Sequence, residues 1–438
     1  MIEELMSQTL SIRSKRLFGG PVSKSNSLLV MASFARRAFV LAVLGLSAHA
    51  ETFLVDASNG PGTDYTDLPQ ALQAAGQNDL ILVRAGDYSP FTTSKGVRIL
   101  GLEDNVVVSG RCVIQSLHSV RKFVLYRLEL NEVEIRGCDG HVAIQLPGDQ
   151  SRNLRGLEVS DSVDVRVSGI NTWGDSSPFP ATVSIIASEV ELVGCERIMG
   201  EFGGFTVGAD GRTAVLIDDE SRVRISLTNI EGGSGSEGDF WGTDGGDGAP
   251  AVHVRGGSEL TITGDGTQVI EGGWAGHSPG NGSSEGGYAL LVEESSQVRV
   301  SGVTLEGGWG SHHDASDLHV ERGSAIEEPT LADPTMGFVG DPIPGQPLTM
   351  RVTGPQGGNV RYLLGRIPEI SYIGGSVGPD LLVEIRVVNP GVIPVSGVRD
   401  YTFVIPPNIP QGMYFLGQAS VVYQGTAYRT ASQVLLVQ

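Results

Sequence analysis

Lysine is scarce in this chain, and so are long apolar runs. Beyond residue 50 the only lysines are Lys95 and Lys122, and 50 acidic residues stand against 30 basic ones over the whole chain, for a formal net charge of −20. A surface this acidic repels nucleic acid and anionic lipid, so neither is a predicted partner. No apolar run beyond residue 50 approaches the roughly 18 residues of a transmembrane helix, so no membrane span is predicted.

Cysteine is also rare, which excludes a fold stapled by several disulfides. The chain has three cysteines, Cys112, Cys138 and Cys195, and they cannot all pair within one chain. Two alternatives stay open on the sequence alone. Cys112 and Cys138 form a disulfide in an oxidising compartment, or all three residues are buried thiols.

The N-terminal region has the pattern of a secretory signal. Two arginines, Arg36 and Arg37, precede a short apolar stretch, and Ala48-His49-Ala50 provides a small-x-small cleavage site. We expect translation to start at Met31, cleavage after Ala50, and a secreted, periplasmic or cell-surface protein. The paired arginines also match part of a twin-arginine signal, so the export route stays open.

Five copies of a short sequence motif indicate the fold of the next region. The last residue of each copy lies seven positions after the first, and the starts lie 33, 37, 38 and 28 residues apart. The unit is therefore constant while a segment beside it varies in length. The copies are Ala181–Ser188, Ala214–Ser221, Ala251–Ser258, Ala289–Ser296 and Asp317–Ser324.

Polar and apolar residues alternate after each of the first four serines, as in strands with one buried face. If each repeat is one coil of a parallel stack, two aliphatic columns face inward. They are Val190, Val223, Leu260 and Val298, and Leu192, Ile225, Ile262 and Val300. Outward, Glu189, Arg222 and Glu259 lie side by side, and Glu191 lies beside Arg224, so opposite charges favour the same pairing. The sequence predicts an all-β protein built on parallel strands.

The segment 52–110 has a specific order of elements. Phe53–Val55 is a strand, Asp67-Leu68-Pro69 opens an amphipathic helix, Leu80–Val83 is a second strand, Ala85–Tyr88 is a turn and Val97–Gly101 is a third strand. In this order the chain resembles the first coils of the pectin-lyase-like right-handed parallel β-helix proteins, including those that bacteria secrete. The resemblance implies a right-handed parallel β-helix over 51–325, with the helix capping its open N-terminal end.

The composition changes after about residue 325. Thirteen of the 22 prolines follow Glu328, and short alternating strands such as Leu348–Val352 and Leu381–Val388 replace the glycine-rich loops. We expect a signal region over 1–50, the β-helix over 51–325, a linker over 326–336 and a small β-sandwich over 337–438.

The variable segments between the repeats carry the candidate binding residues. Three of them open with Glu-Gly-Gly and contain one tryptophan each, and a comparable earlier loop contains the fourth. These tryptophans are Trp173, Trp241, Trp274 and Trp309. Because the coils stack, the indoles are expected along one edge, where flat rings bind sugar rings. The alternative is that each indole shields the glycines of its own corner.

The same loops contain acidic residues that suit calcium. The candidate oxygen ligands are Asp239, Asp244 and Asp247, together with the loop-opening Glu231, Glu271 and Glu306, and a solvated flexible loop is the alternative. A further group, His312-His313-Asp314 with Asp317, His319 and Glu321, has the residue types of a transition-metal site. However, His253, Leu291 and His319 share one outward column, which favours an ordinary surface row.

The resemblance also implies which catalytic segments to look for, and the sequence contains none of them. The Asn-Thr-Asp, Gly-His-Gly and Arg-Ile-Lys segments of polygalacturonases are missing, and the pair Asp218-Asp219 stands without the rest. Catalytic residues therefore remain unknown, as does the oligomeric state.

We expect a secreted or cell-envelope, non-catalytic protein that binds polysaccharide or mediates surface contacts through its Trp/Gly/Asp loops. The alternatives are a divergent polysaccharide lyase or glycoside hydrolase and a purely structural exoprotein. No cofactor other than calcium is expected.

Overall fold

Parallel β-strands are the main regular structure between residues 52 and 327. The computed structural model describes residues 50–437 except 147–153, 173–176, 205, 240–242, 278–283, 311–314, 330–332, 372–375, 378–379, 410–413 and 431–432. Within this part of the chain, no helix is both long and apolar enough to cross a membrane.

One short helix, α1 (Leu68–Ala74), lies near the start. The Asp67 carboxylate accepts a hydrogen bond from the Leu68 amide at 2.8 Å, and proline occupies the first turn. Lys95 Nζ donates to the carbonyl oxygens of residues 72, 73 and 75 at the other end, each at 2.8 Å. The helix therefore has both ends satisfied, as capping rules require.

The chain passes back and forth between two parallel sheets. The first sheet contains β1 (Thr52–Val55), β2 (Leu80–Val83), β5 (Arg98–Gly101), β7 (Lys122–Tyr126), β9 (His141–Gln145), β11 (Val165–Ser168), β13 (Glu189–Val193), β14 (Ile198–Met199), β16 (Arg222–Ser226), β17 (Ile230–Glu231), β19 (Glu259–Glu271), β21 (Gln297–Glu306) and β23 (Ala325–Glu327). The second contains β3 (Gly86–Tyr88), β4 (Thr92–Thr93), β6 (Val106–Gln115), β8 (Glu129–Arg136), β10 (Gly156–Ser160), β12 (Val183–Ile186), β15 (Val215–Asp218), β18 (Val252–Val254), β20 (Leu290–Val292) and β22 (Leu318–Val320). We call one passage through both sheets a coil. The arrangement fits a parallel β-helix.

The predicted inward columns are confirmed. Val190 pairs with Val223, Val223 with Leu260 and Leu260 with Val298, and all four are buried. The second predicted column follows the same pairings and contains Ile225, which is fully buried. These aliphatic columns belong to one continuous core between the sheets.

The first copy of the repeated sequence motif departs from the predicted register of strand pairing. Counting from its alanine places Thr182 beside Val215, but Val183 is the partner of Val215. The turn explains the shift. It contains one left-handed residue, Ala187, in the first copy and two, Asp219 and Glu220, in the second. The second turn therefore uses one more residue before the serines realign.

The repeated serines form a hydrogen-bonded ladder inside the turns. The amide of Ser188 donates to Ser221 Oγ at 3.1 Å, and the amides of Ser221 and Ser258 donate in the same way to the next serine at 3.2 Å. These serines are buried, so each hydroxyl satisfies a backbone group that has no water.

The three cysteines are free and buried. Burial raises the pKa of Cys112 and of Cys195 to about 11. The sequence left open a Cys112–Cys138 disulfide or three buried thiols, and the structure has the three buried thiols.

Antiparallel sheets follow. The first contains β24 (Thr335–Val339), β25 (Pro347–Thr353) and β29 (Val398–Val404). The second contains β26 (Asn359–Ser371), β27 (Ser376–Val377), β28 (Asp380–Val392), β30 (Tyr414–Tyr423), β31 (Thr426–Arg429) and β32 (Gln433–Leu436), of which only β27 pairs in parallel among the described strands. Met350 and Val352 of the first sheet pack with Val360 and Tyr362 of the second.

This antiparallel region contacts the outer face of the first parallel sheet. Leu363 packs in one apolar cluster with Leu100 and Val124. Arg299 donates to both carboxylate oxygens of Asp333, at 2.8 and 3.0 Å, and Asp333 is buried. A two-pronged pair of this kind fixes geometry as well as charge.

Candidate functional site

The glycine-rich segments that leave the first sheet are joined to one another by main-chain hydrogen bonds. The amide of Gly232 donates to the Glu271 carbonyl at 2.8 Å, Gly235 to Trp274 at 2.8 Å, and Gly238 to His277 at 2.9 Å. The donors and the acceptors both recur every third residue. A repeat of three is that of the polyproline II helix, whereas a β-strand repeats every second residue.

The segments that return to the second sheet form another layer against these. Gly246 donates to the Ser236 carbonyl and Ala249 to the Gly233 carbonyl, each at 2.9 Å, so this pair of segments is antiparallel. We call the two layers together the glycine lattice. Its outgoing layer is 199–203, 231–239, 271–277 and 306–310, and its returning layer is 208–212, 243–250 and 284–288.

Glycine is required in the lattice because the backbones are too close for a side chain. A Cβ on Gly273 would lie 1.9 Å from the Gly233 carbonyl oxygen, and one on Gly276 would lie 1.7 Å from the Ser236 carbonyl oxygen. Neither glycine has a positive φ. Close packing of chains is therefore the reason for these glycines, as at the crowded axis of collagen.

Every third residue of the outgoing layer points to solvent. In 231–239, residues 231, 234 and 237 are at least partly exposed, while 232, 233, 235 and 236 are buried. Neighbouring segments lie in register, because Glu231 pairs with Glu271 and Glu271 with Glu306. The exposed residues therefore form parallel rows. We call two neighbouring rows the aromatic face: Phe202, Ser234, Trp274 and Trp309 in one row, and Glu231, Glu271 and Glu306 in the other. Glu237 and His277 belong to a further row.

Two of the four predicted tryptophans lie side by side on this face. Trp274 is 55% exposed and Trp309 is 69% exposed. The indole nitrogen of Trp274 donates to Glu271 Oε1 at 2.7 Å, which fixes one edge of the ring. More than half of the surface of each residue stays in solvent, whereas a tryptophan that shields its own corner would be largely buried. Trp173 and Trp241 lie outside the described residues.

A polar groove adjoins the row of glutamates. It is lined by Arg197, Asn229, Glu231 and Glu271, among others. Arg197 Nε donates to Glu231 Oε2 at 3.1 Å, so the charge of this glutamate is neutralised within the chain. The groove provides hydrogen-bond donors and acceptors next to the apolar rings, a combination that suits a sugar with its hydroxyl groups.

The three aspartates proposed for calcium are bound to the backbone or exposed. Asp239 Oδ1 accepts from the Thr243 amide at 2.9 Å, Asp247 Oδ1 accepts from the Glu285 amide at 2.8 Å, and Asp244 is exposed. Within the described ranges, no group of three or more Asp, Glu, His or Cys side chains is placed to hold a metal ion. Calcium binding at these residues stays a prediction.

That prediction is that millimolar calcium raises the melting temperature and a chelator lowers it, since a ligand of the native state stabilises it by mass action. Asp239→Asn/Asp247→Asn is the matched variant, because asparagine keeps the oxygen that accepts the backbone hydrogen bond. It should melt at one temperature with or without calcium. Identical melting curves of the unsubstituted protein in calcium and in chelator would remove calcium from the account.

The histidine group is only partly described, since residues 312–314 lie outside the described ranges. Asp317 Oδ1 accepts from the Gly307 amide and Glu321 Oε2 from the Glu294 amide, each at 2.9 Å. The His319 ring lies 5.1 Å from the Tyr288 ring. The predicted outward column of His253, Leu291 and His319 is confirmed by strand pairing.

One titratable network is buried on the outer side of the first sheet. His141 Nδ1 lies 3.1 Å from Asp164 Oδ2, and Arg166 Nε donates to Glu191 Oε2 at 3.0 Å. Burial lowers the pKa of His141, although Asp164 opposes the shift. The sequence placed Glu191 in an exposed charge row, but Glu191 is buried together with Arg166. A substrate in solvent does not reach groups this deep.

Sequence reasoning missed the glycine lattice, although a signal was present. Glycine recurs at every third position in Gly232, Gly235 and Gly238, in Gly273 and Gly276, and in Gly245 and Gly248. This spacing is the mark of polyproline II chains in contact.

Comparison with known proteins provides no relative. No protein-family model, no curated protein and no solved structure matches this chain.

Proposed function

We propose that residues 51–325 form a right-handed parallel β-helix of the pectin-lyase-like kind, and that 337–438 form a β-sandwich. Alternation between two in-register parallel sheets supports the β-helix. Leu68 and Leu72 of α1 belong to the same core as Val55 and Ile81 of the first strands, which supports a capping role for the helix. The core shared by the two antiparallel sheets supports the sandwich.

We propose further that the protein is exported, to the medium, the periplasm or the cell surface, and that it binds polysaccharide without cleaving it. The secretory pattern before Ala50 supports export. The aromatic face supports binding, because its rings, carboxylates and adjoining groove combine apolar and hydrogen-bonding surface.

The observation that carries this proposal is the exposure of Trp274 and Trp309 on neighbouring segments. An indole ring that is exposed to solvent contributes little to the stability of the fold. Contiguous exposed apolar groups on soluble proteins mark interaction sites. The glycine lattice holds the backbones of the two tryptophans in register, and the hydrogen bond to Glu271 restrains the Trp274 ring, so less conformational entropy is lost when a flat ligand binds.

The test is a titration of soluble oligosaccharides, followed by tryptophan fluorescence and calorimetry. Trp309→Ala is expected to weaken binding at least about tenfold, as aromatic anchors do at interfaces. Its free energy of unfolding should stay within about 0.5 kcal/mol, as for other exposed positions. Val395→Ala, at a site 81% exposed in the antiparallel region, is the control and should leave both quantities unchanged.

If Trp309→Ala lost stability but still bound the oligosaccharides, the proposal would be contradicted. The indole would then shield the glycines of its own corner. Two assays of the same mixtures address the enzyme alternative: reducing ends for a hydrolase and unsaturated uronates for a lyase. Product formation would favour a divergent enzyme. Absence of binding and of products would leave the purely structural exoprotein.

A further inference from the structure

The glutamate row of the aromatic face has an unusual charge pattern for this sheet. Glu231, Glu271 and Glu306 are consecutive partners across three strands. Like charges directly opposite each other on neighbouring strands are destabilising. Only Glu231 has an arginine partner among the described residues, Arg197.

Another outward column of the same sheet has opposite charges on neighbouring strands. Arg222 lies between Glu189 and Glu259, with its nitrogens 3.7 and 3.6 Å from their carboxylate oxygens. Charges alternate there and stabilise the pairing. No such alternation stabilises the row of Glu231, Glu271 and Glu306, in which only Glu231 has an arginine partner among the described residues. The row lies beside the two exposed indoles.

We propose that the ligand of the aromatic face is a polymer of amino sugars with free ammonium groups. Each ammonium group would neutralise the carboxylate of Glu271 or Glu306, and the sugar rings would lie on Trp274 and Trp309. Indoles attract cations as well as apolar ring faces, so both rows of the face favour this ligand. This inference rests on the proposed polysaccharide binding and specifies its chemical class.

A metal ion is a poorer occupant of this row. No group of three or more metal-binding side chains occurs in the described part of the chain. A uronic-acid polymer is excluded by charge, because its carboxylates would face those of Glu271 and Glu306. A neutral glycan would leave the glutamate row uncompensated.

The experiment compares a β-linked glucosamine hexamer with its fully N-acetylated counterpart, which has the same length and linkage but no charge. The glucosamine hexamer is expected to bind at least about tenfold more tightly at low salt, and the difference should shrink as salt is added. Glu271→Gln/Glu306→Gln should remove most of the difference, since glutamine keeps the acceptor for the Trp274 indole. Glu189→Gln/Glu259→Gln, which removes two charges elsewhere on the sheet, should not.

Equal, salt-independent binding of both hexamers would overturn the charge inference and leave the polysaccharide proposal standing. Binding of neither hexamer, nor of any other glycan, would overturn both. A lysine hexamer that binds as tightly as the glucosamine hexamer, in Trp309→Ala as well as in the unsubstituted protein, would overturn the sugar assignment, because it would show attraction of any polycation.

Discussion

Replacing Gly273 by alanine is expected to lower the free energy of unfolding by roughly 3 kcal/mol, the upper range for an overpacked site. The added methyl group would lie 1.9 Å from the Gly233 carbonyl oxygen, which belongs to the backbone and has no rotamer by which to move away. The segments of the lattice would have to separate, and their hydrogen bonds would break. Urea denaturation gives the change in free energy, and amide hydrogen exchange over 231–250 shows where it arises.

Gly337→Ala is the matched control, because nothing lies within 4 Å of a Cβ at Gly337 and its φ is not positive. Alanine at Gly337 should leave stability unchanged or slightly raised, since it restricts the unfolded chain. Equal effects of the two substitutions would mean that the glycine-rich segments do not pack as a lattice.

Replacing Ile225 by aspartate is expected to destabilise the coils around it by several kcal/mol. Ile225 is fully buried and lies between Leu192 and Ile262 in the inward column. A carboxylate there has no partner and no water, and an unpaired buried charge is among the most destabilising changes known for a core. Thermal and urea denaturation measure the loss.

Arg222→Ser is the control for this prediction. The Arg222 side chain is 52% exposed and its ion pairs are long, so its removal should change stability by less than about 1 kcal/mol. If both variants lost the same stability, the inward and outward assignments along these strands would be wrong.

The strand columns could be predicted from the sequence because they follow from a repeat of two and a constant unit. Side chains alternate across a sheet, so alignment of the serines placed Val223 beside Val190 without further information. The register of the first copy was wrong by one residue because turn length depends on left-handed backbone at Ala187, Asp219 and Glu220, and none of these is the glycine that usually marks such a turn.

The candidate site was predictable only in part. Stacking of coils brought Trp274 and Trp309 to one edge, but it did not indicate that the backbones carrying them pack closely against other segments. That packing depends on contacts between segments far apart in sequence, such as Gly273 against Gly233, which appear only once the loops are packed together. Burial of Glu191 was missed for the same reason, since the sequence of one strand does not reveal what covers it.

Quenching of tryptophan fluorescence by acrylamide tests the central claim most directly, namely that Trp274 and Trp309 meet a glycan. The protein for this measurement carries Trp173→Phe and Trp241→Phe, so that only these two indoles emit. The free protein is expected to be strongly quenched, because the rings are 55% and 69% exposed, and saturating glucosamine hexamer should protect them. Quenching that is unchanged by every glycan tried would contradict the claim.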